Sequence, residues 1–451
     1  MSNKELFEDF DDVSSKLWKQ KVQFDLKGKD YNDTLVWESL EGIHVKPFYH
    51  PDSTNEALGL MEHSPKSWKI AQEIYANDVS KTLKNIDRLK QEGVEGFLLT
   101  IPDDQFDLNR FLQAKAVENT EIHIKFPFLH KAEGLPKTSP SHHLHMDVIG
   151  HFAREGNWFS DTAKDLEQMV SNVKHPNYRC AIHSELYQNS GANCIQQLAY
   201  SLAHATEYLN HFETHKVGSN ANFSFFVGVG GNYFFEIAKM KALRWLWETV
   251  SETFGVNPNC TILAVPSLRN KTLYDFNTNM LRTTTESMAA VLGGADVVCN
   301  LNYDAVYHKT NAFAERAARN QLLLLKEESF FESGSMPTEG SYYVENLIVQ
   351  LAEKALELFK EIEASGGFLK MLHQGTIQKK IKQSAEKEQA LFDKGELVLV
   401  GSNKYANADD RMKDSIERAP FPKKRARKTL IEPIVPKRLA SGMEMKRLNQ
   451  E

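Results

Sequence analysis

The sequence has few of the residues that build metal knuckles, disulfides or membrane spans. Its four cysteines, Cys180, Cys194, Cys260 and Cys299, are widely separated and none lies in a C-x-x-C pair, so we predict buried, reduced thiols rather than a zinc or iron–sulfur site. No apolar run approaches the roughly 20 residues that cross a bilayer. The N-terminus is acidic, unlike a signal or transit peptide. We therefore expect a cytoplasmic chain with no membrane partner.

Motifs for nucleotide binding and for serine hydrolysis are also missing. The sequence contains neither a G-x-x-x-x-G-K-[ST] loop nor a G-x-S-x-G elbow. The run 228–231 (GVGG) follows an apolar stretch, but Tyr233 stands where a dinucleotide-binding G-x-G-x-x-G turn has its third glycine. We interpret it as a turn between a barrel strand and its helix. The net charge of −6 gives no reason to expect nucleic acid.

What the chain does have is the size and pattern of a large α/β protein. With 451 residues, 41% apolar and 25% charged, it suits one big barrel with appendages or two to three ordinary domains. Short apolar runs alternate with helical periodicity and are typical of parallel strands buried on both faces. These runs are 96–101, 122–126, 146–150, 180–183, 223–229, 261–265 and 297–301. Seven visible units and one that cannot be placed predict a (β/α)8 TIM barrel, and an open doubly wound sheet is the alternative.

The helical periodicity and the turn residues divide the chain into three parts. Residues 1–60, with Phe7, Phe10 and Trp18, form an arm that packs on the barrel or on a partner. Residues 61–370 form the barrel, with helices at 69–93, 195–208, 234–250, 274–291, 312–325 and 342–364. Residues 371–451 form an extension with a helix at 375–391, a short strand at 396–400 and a basic tail whose prolines preclude one continuous helix.

Two groups of polar residues have more than one interpretation. The basic cluster at 423–428 could contact phosphate, remain solvated or dock on an acidic partner surface. Arg316 and Arg319 share a helical face, and they either bind a carboxylate or hold barrel loops together. The residues alone do not distinguish these possibilities.

A histidine-rich segment at 142–147 could suggest a metal. His143 and His145 share one face of an extended segment, and Asp147 continues that face. Zinc needs three or four ligands, usually gathered from separated segments, and no such distant partner can be identified. We predict no metal site.

A series of segments, in order, resembles the methylmalonyl-CoA mutase family. TLVWESLEGIHVKPFY at 34–49 resembles the opening segment, and FSFFVGVGGNYFFEIAKMKALRWLW at 223–247 resembles a central strand, turn and helix. Further matching segments are 279–290, 316–329, 340–347, 361–367, 375–378 and 395–405. The resemblance covers about residues 34 to 405 and implies a TIM barrel. It also implies a complex that uses adenosylcobalamin to interconvert methylmalonyl-CoA and succinyl-CoA.

The chain departs from the family pattern where catalytic members carry their site residues. An arginine, a tyrosine, a histidine and a second arginine are replaced by Ala71, Glu73, Leu186 and Leu263. Leucine has no donor for a substrate carbonyl, and a carboxylate repels the substrate's own carboxylate. Lys69 and Arg269 restore some positive charge nearby, but without the bidentate geometry of the lost arginine. We predict no catalytic and no cofactor-binding residue in this chain.

The resemblance therefore implies a small, non-catalytic subunit. The cobalamin-binding domain and its D-x-H-x-x-G motif are not found before the sequence stops at Glu451. A large subunit would hold adenosylcobalamin and convert the acyl-CoA substrate, in a heterodimer that descends from a symmetric pair. The arm and the tail are the segments expected to reach this partner. Alternatives are a catalytic barrel that works with a separate cobalamin-binding chain, and a non-enzymatic scaffold.

Overall fold

Eight parallel strands form a closed barrel. The computed structural model describes residues 13–53, 67–217, 221–333, 336–422 and 427–451. The barrel strands are β3 (Lys69–Tyr75), β4 (Gly96–Thr100), β5 (Glu121–Lys125), β6 (His142–Met146), β7 (Tyr178–His183), β8 (Phe223–Val229), β9 (Thr261–Pro266) and β10 (Val297–Cys299). They pair in chain order, and β10 returns to β3. The (β/α)8 barrel is thus confirmed, and the open sheet is wrong. Outside the barrel, β1 (Trp37–Glu38) and β2 (His44–Val45) form a small antiparallel pair.

Helices surround the strands, and the main core lies between the two layers. They are α1 (Ser15–Asp25), α2 (Tyr31–Leu35), α3 (Val79–Gln91), α4 (Leu108–Leu112), α5 (Val148–Glu155), α6 (Thr162–Asn172), α7 (Glu185–Ser190), α8 (Cys194–Thr214), α9 (Tyr233–Thr253), α10 (Thr278–Leu292), α11 (Ala312–Leu323), α12 (Tyr342–Ala364), α13 (Phe368–His373), α14 (Thr376–Asp393) and α15 (Ser441–Leu448). None of the helices in the described ranges is both long enough and apolar enough to traverse a bilayer.

Side-chain caps determine where several helices begin. Asp78, Asp107 and Asp147 each accept a hydrogen bond from the backbone N–H three residues later. Asn193 forms a reciprocal capping box with Gln196 at the start of α8. These caps satisfy backbone N–H groups that the first turn of a helix leaves without a partner. The capping residue therefore helps to set the position at which each of these helices begins.

Three sequence-based boundaries are wrong. The stretch 69–93 is not one helix, because Lys69–Tyr75 is the missing eighth strand and the Asp78 cap starts α3 only at Val79. Pairing with both β4 and β10 closes the barrel and outweighs the helical periodicity of this stretch. The strand expected at 146–150 lies earlier, since β6 ends at Met146. The strand expected at 396–400 is reduced to one bridge between Val400 and Lys404.

The long helix α12 has the predicted bounds and joins the outer layer against α8 and α9. It ends before two glycines with positive φ, Gly366 (102°) and Gly367 (91°), a conformation that residues with a Cβ rarely adopt. Two further helices, α13 and α14, follow it directly. The division into an arm, a barrel and an extension at residues 60 and 370 remains a prediction.

The two ends of the chain pack on the rest of it where they are described. Trp18 stacks on Phe48 within the arm, with ring centroids 4.2 Å apart, and Trp37 of the arm meets Phe235 of α9 edge to face at 5.8 Å. In the tail, the backbone N–H of Ile434 donates to Ala153 O at 2.8 Å, and the Ile434 side chain is buried in the main core. The predicted aromatic residues Phe7 and Phe10, and positions 423–426 of the basic cluster, lie outside the described residues. The tail from 427 onward thus lies along its own barrel.

The connection between β5 and β6 contains no helix in residues 126–141, and it places a histidine against the barrel wall. His130 stacks on Phe126 with ring centroids 4.2 Å apart, and its Nδ1 lies 2.5 Å from the Tyr178 hydroxyl. Burial lowers the pKa of His130 to about 4. An imidazole in this place remains uncharged in mildly acidic solution because its charged form would lose hydration.

We expect His130 to make the fold sensitive to acid. Below the ordinary histidine pKa of about 6.5, the unfolded chain takes up a proton here that the folded chain does not. Stability should therefore fall as the pH drops from 6.5 to 4, and His130 should account for about 2 kcal/mol of the fall, allowing for its partial exposure. Urea unfolding of the His130→Gln variant and the wild type at both pH values measures the difference. His215→Gln, at an exposed site, is the control; equal pH dependence in wild type and His130→Gln would contradict the assignment.

Candidate functional site

The barrel lumen is the natural place for a site in this fold, and its middle is filled by apolar side chains. Inward-facing residues alternate along each strand with residues of the main core. The lumen cluster consists of Ala71, Leu98, Ala181, Phe226, Leu263, Val297 and Cys299, each at most 4% exposed. These side chains come from six of the eight strands. The lumen is thus a packed second core rather than a channel.

Two buried histidines complete this packing. His123 of β5 and His145 of β6 are fully buried, and His123 Nδ1 lies 3.0 Å from His145 Nε2. His145 and Phe226 meet edge to face with ring centroids 5.0 Å apart, and His183 stacks on the same phenylalanine at 4.6 Å. Phe226 therefore closes the space between the two ends of the lumen.

Charged residues surround the C-terminal mouth, the end at which TIM barrels carry their active sites. Glu73 at the end of β3 pairs with Lys125 at the end of β5, with Oε1 and Nζ 2.9 Å apart. Because the Glu73 side chain is 56% exposed, this pair contributes little stability. His183 Nδ1 lies 2.7 Å from Glu185 Oε1. Burial opposes ionisation of Glu185, but the charge of His183 and its hydrogen bond outweigh burial and lower the Glu185 pKa.

A polar cavity of about 460 Å³ adjoins this mouth. Its walls come from β3, from the loop after β10 and from α11, and its polar lining includes Glu73, Asn300, Asn302, His308, Glu315, Arg319 and Arg418. Amide, imidazole and guanidinium groups of this kind can hold a small polar molecule by hydrogen bonds. Arg319 is already engaged, because its guanidinium donates to Gln72 Oε1 at 3.0 Å and pairs with Glu92. Of the two interpretations for this arginine, holding the barrel together is the one that these contacts favour.

The four substituted family positions do not form one group. Glu73 lies at the C-terminal mouth, Leu263 is in the lumen cluster, and Leu186 on α7 belongs to the main core between strands and helices. Ala71 also lies in the lumen cluster. The only charged residue among them is therefore separated from both leucines.

The two cations expected to compensate for the lost arginine are engaged elsewhere. Lys69 begins β3, at the opposite end from Glu73, and its Nζ lies 2.9 Å from Glu121 Oε2. Three residues of extended strand separate it from Glu73, and its charge is paired with Glu121. That Lys69 compensates for the arginine lost at Leu263 stays a prediction. Arg269 pairs with Glu388 and donates to Lys437 O at 2.7 Å, so it holds α14 and the tail against the barrel.

The candidate face of His143, His145 and Asp147 does not gather into a metal site. Asp147 caps α5 and is buried, and it accepts hydrogen bonds from Gly150 N–H (2.7 Å), the Tyr208 hydroxyl (2.9 Å) and His204 Nε2 (2.9 Å). Burial by itself would raise the pKa of Asp147, but the charge and hydrogen bond of His204 hold it well below its usual range. Asp147 is thus a structural carboxylate with its acceptor capacity in use.

Two structural interpretations are confirmed: the glycine-rich run 228–231 is a strand-to-helix turn, and the cysteines are buried free thiols. A Cβ added at Gly230 would lie 2.5 Å from Gln188 Nε2, and one at Gly228 would lie 3.0 Å from the Gln188 side chain, so the glycine-rich turn allows α7 to approach β8. The carbonyl of Gly228 accepts a hydrogen bond from the buried Lys239 at 2.8 Å. The four cysteines are free and buried.

One cluster was missed from the sequence. Glu121 and His123 of β5 and His143 of β6 bring their ligand atoms within 4.8 Å of one another near the N-terminal end of the lumen. We call these three residues the barrel-base cluster. Alternation in EIHIK and HHLHM places them on inward faces, but only the pairing of β5 with β6 makes them neighbours, with His123 opposite His143. The sequence signal for this cluster was polar residues two positions apart in each strand. The sequence does not give the register between β5 and β6, which decides which of these residues are neighbours.

Comparison with known proteins gives the chain's relatives. The family profile described as methylmalonyl-CoA mutase matches residues 118–439. The methylmalonyl-CoA mutase small subunit of Porphyromonas gingivalis is 31% identical over 99% of this chain and 78% of its own length. The methylmalonyl-CoA mutase of Cereibacter sphaeroides is 28% identical over 87% of this chain, and the human mitochondrial enzyme is 27% identical over 86%. The chain spans 64% and 60% of those two proteins, respectively.

Among solved structures, 3-dehydroquinate dehydratase from Enterococcus faecalis overlaps 58% of this chain and 96% of its own chain, at 10% identity. Its TM-score of 0.25 is too low to support any conclusion about fold or function. The match of the family profile over most of the chain, together with a relative above 30% identity along nearly its whole length, does establish a relationship. The chain belongs to the methylmalonyl-CoA mutase family.

Proposed function

We propose that this chain is the non-catalytic small subunit of a methylmalonyl-CoA mutase heterodimer. The observation that carries the proposal is the packed lumen cluster. Leu263 stands where the resemblance implies a substrate-binding arginine, and it is buried with Phe226 and Leu98 against the other lumen residues. The described residues of this cluster are all apolar or cysteine, so none of them offers an arginine to pair with a substrate carboxylate. The name of the relative from Porphyromonas gingivalis, methylmalonyl-CoA mutase small subunit, supports the small-subunit part of the proposal.

The large subunit would hold adenosylcobalamin and carry out the rearrangement. The residues of this chain at the C-terminal mouth do not fit a substrate's acyl group and carboxylate, because Glu73 is anionic and paired with Lys125. No step of the reaction is therefore assigned to this chain. Its contribution would be a second barrel whose surface stabilises the catalytic one.

Turnover in the presence of adenosylcobalamin tests this division of labour. Methylmalonyl-CoA conversion is measured for this chain alone, for the large subunit alone and for the mixture. We expect none from this chain alone, and more from the mixture than from the large subunit. Equilibrium dialysis with succinyl-CoA should find no binding to this chain by itself. Turnover by this chain alone would instead support a catalytic barrel, and a mixture no faster than the large subunit would support a scaffold outside the enzyme.

Substitution of the mouth residue gives a sharper test. We expect Glu73→Gln to change kcat of the reconstituted mutase by less than about twofold, since Glu73 would touch no reacting atom. Removal of a group that stabilises a transition state typically costs on the order of a hundredfold or more. Glu118→Gln, at another exposed glutamate, is the matched control. A loss of that order with Glu73→Gln alone would place chemistry in this barrel.

A further inference from the structure

The barrel-base cluster has the composition and spacing of a metal site. His143 Nε2 lies 2.8 Å from Glu121 Oε1, and His123 Nε2 lies 3.2 Å from the same oxygen. Two ligands of one tetrahedral zinc ion, each about 2.0–2.1 Å from the metal, are about 3.4 Å apart. The three ligand atoms are therefore close to the separation that zinc requires, and small side-chain movements would admit the ion.

A buried nitrogen of this cluster makes no hydrogen bond in the structure. His123 is fully buried, and its Nε2 makes no hydrogen bond in the structure although Glu121 Oε1 is 3.2 Å away. A buried polar atom is normally satisfied, because leaving it unpaired costs free energy. The other ring nitrogen, Nδ1, lies 3.0 Å from His145 Nε2. A histidine that binds metal through one nitrogen commonly donates the other N–H to a neighbour, and His145 is placed to accept it.

We propose that Glu121, His123 and His143 bind one Zn²⁺ ion at the base of the barrel. Two imidazoles and one carboxylate form a nitrogen and oxygen set that zinc accepts, with water or an anion as the fourth ligand. The ion would cross-link β5 and β6 at the N-terminal end of the lumen, where residues of TIM barrels serve stability rather than catalysis. The role is therefore structural and does not depend on the proposed function.

The surroundings define how the ion would enter and what opposes it. His143 is 12% exposed, so the cluster can be reached from the N-terminal end. Lys69 Nζ holds the second oxygen of Glu121 at 2.9 Å, which leaves Oε1 for the metal. Lys69 and Arg179 are the cations near the site, and Arg179 acts on both His123 and Glu121. Their charge opposes a divalent ion and favours hydroxide or another anion as its fourth ligand.

Metal titration of the full-length chain tests the proposal. The chain is prepared without a histidine tag, and metal is first removed with a chelator. Calorimetry with ZnCl₂ should give one ion per chain, and Co²⁺ should give the intense visible absorption of a four-coordinate site. His143→Gln should weaken zinc binding by more than the roughly 10–100-fold cost of losing a partner outside the ligand set. Lys69→Met should tighten it by roughly fivefold, because an opposing charge is removed.

A surface histidine pair supplies the matched control. His211 and His215 lie one turn apart on and just after α8, with ring centroids 4.4 Å apart, and they could bind zinc adventitiously. His215→Gln should leave the affinity unchanged. Loss of binding in His215→Gln with retention in His143→Gln would overturn the proposal, as would a wild-type chain that binds no stoichiometric zinc. The wild-type Co²⁺ spectrum and the Lys69→Met affinity remain decisive even if circular dichroism shows that His143→Gln fails to fold.

Discussion

Leu263→Arg should destabilise the chain by about 4 kcal/mol or more, although it restores the residue type implied by the family pattern. The side chain lies in the lumen cluster and is almost fully buried, with Phe226 and Val297 among its neighbours. A buried charge without a partner costs about 3–5 kcal/mol, and the larger side chain adds overpacking. Since a domain's whole stability is about 5–15 kcal/mol, much of the variant is expected to be unfolded or aggregated on expression.

Urea unfolding followed by circular dichroism measures this effect. The matched control is Leu281→Arg on α10, where the leucine is 69% exposed and the same change should cost less than about 0.5 kcal/mol. If Leu263→Arg were as stable as Leu281→Arg, the lumen would have to offer space and a counter-charge. That result would remove the main support for a subunit that binds no acyl-CoA in its lumen.

Asp147→Ala should have a comparable effect on stability, of about 4 kcal/mol. The carboxylate accepts hydrogen bonds from four donors: Gly150 N–H, His183 N–H, His204 Nε2 and the Tyr208 hydroxyl. Its removal leaves these donors buried without an acceptor, and each unsatisfied group costs about 1–3 kcal/mol before the structure relaxes. The contributions are not additive, because the donors share one acceptor.

The appropriate comparison is another aspartate cap. Asp78 caps α3 by accepting a hydrogen bond from Lys81 N–H at 2.7 Å, and it lies at the surface. Asp78→Ala should cost about 1 kcal/mol, the usual cost of a lost cap. Equal losses in the two variants, measured by urea unfolding, would mean that the Asp147 network adds nothing to its capping role.

The fold could be predicted in large part because its strands are buried on both faces. The stretch 223–229 is apolar apart from Ser224, and it is β8 with the same bounds. The helix 342–364 was also predicted correctly, since it has clear periodicity and two glycines after its end. The eighth strand could not be predicted, because the stretch Lys69–Tyr75 contains no continuous apolar run and leads directly towards a helix. Only its pairing with β4 and β10 makes it a strand.

For the candidate site, the sequence identifies which residue types stand at the family's site positions. Which residues they contact is known only from the tertiary structure. The resemblance identifies Glu73, Leu186 and Leu263 as departures, but it does not say that one of them lies in the main core and another in the lumen cluster. Strand alternation puts Glu121 and His123 on one face, whereas their meeting with His143 depends on the register between β5 and β6.

The sequence by itself therefore determined the barrel class, the bounds of α12 and the family, because periodicity and motif order are properties of local stretches of chain. The tertiary structure alone decided that the lumen is filled, that Lys69 faces Glu121 rather than Glu73, and that three ligand atoms converge at the barrel base. Those outcomes depend on barrel closure and on strand register, which join residues distant in the chain and leave no mark in any single segment.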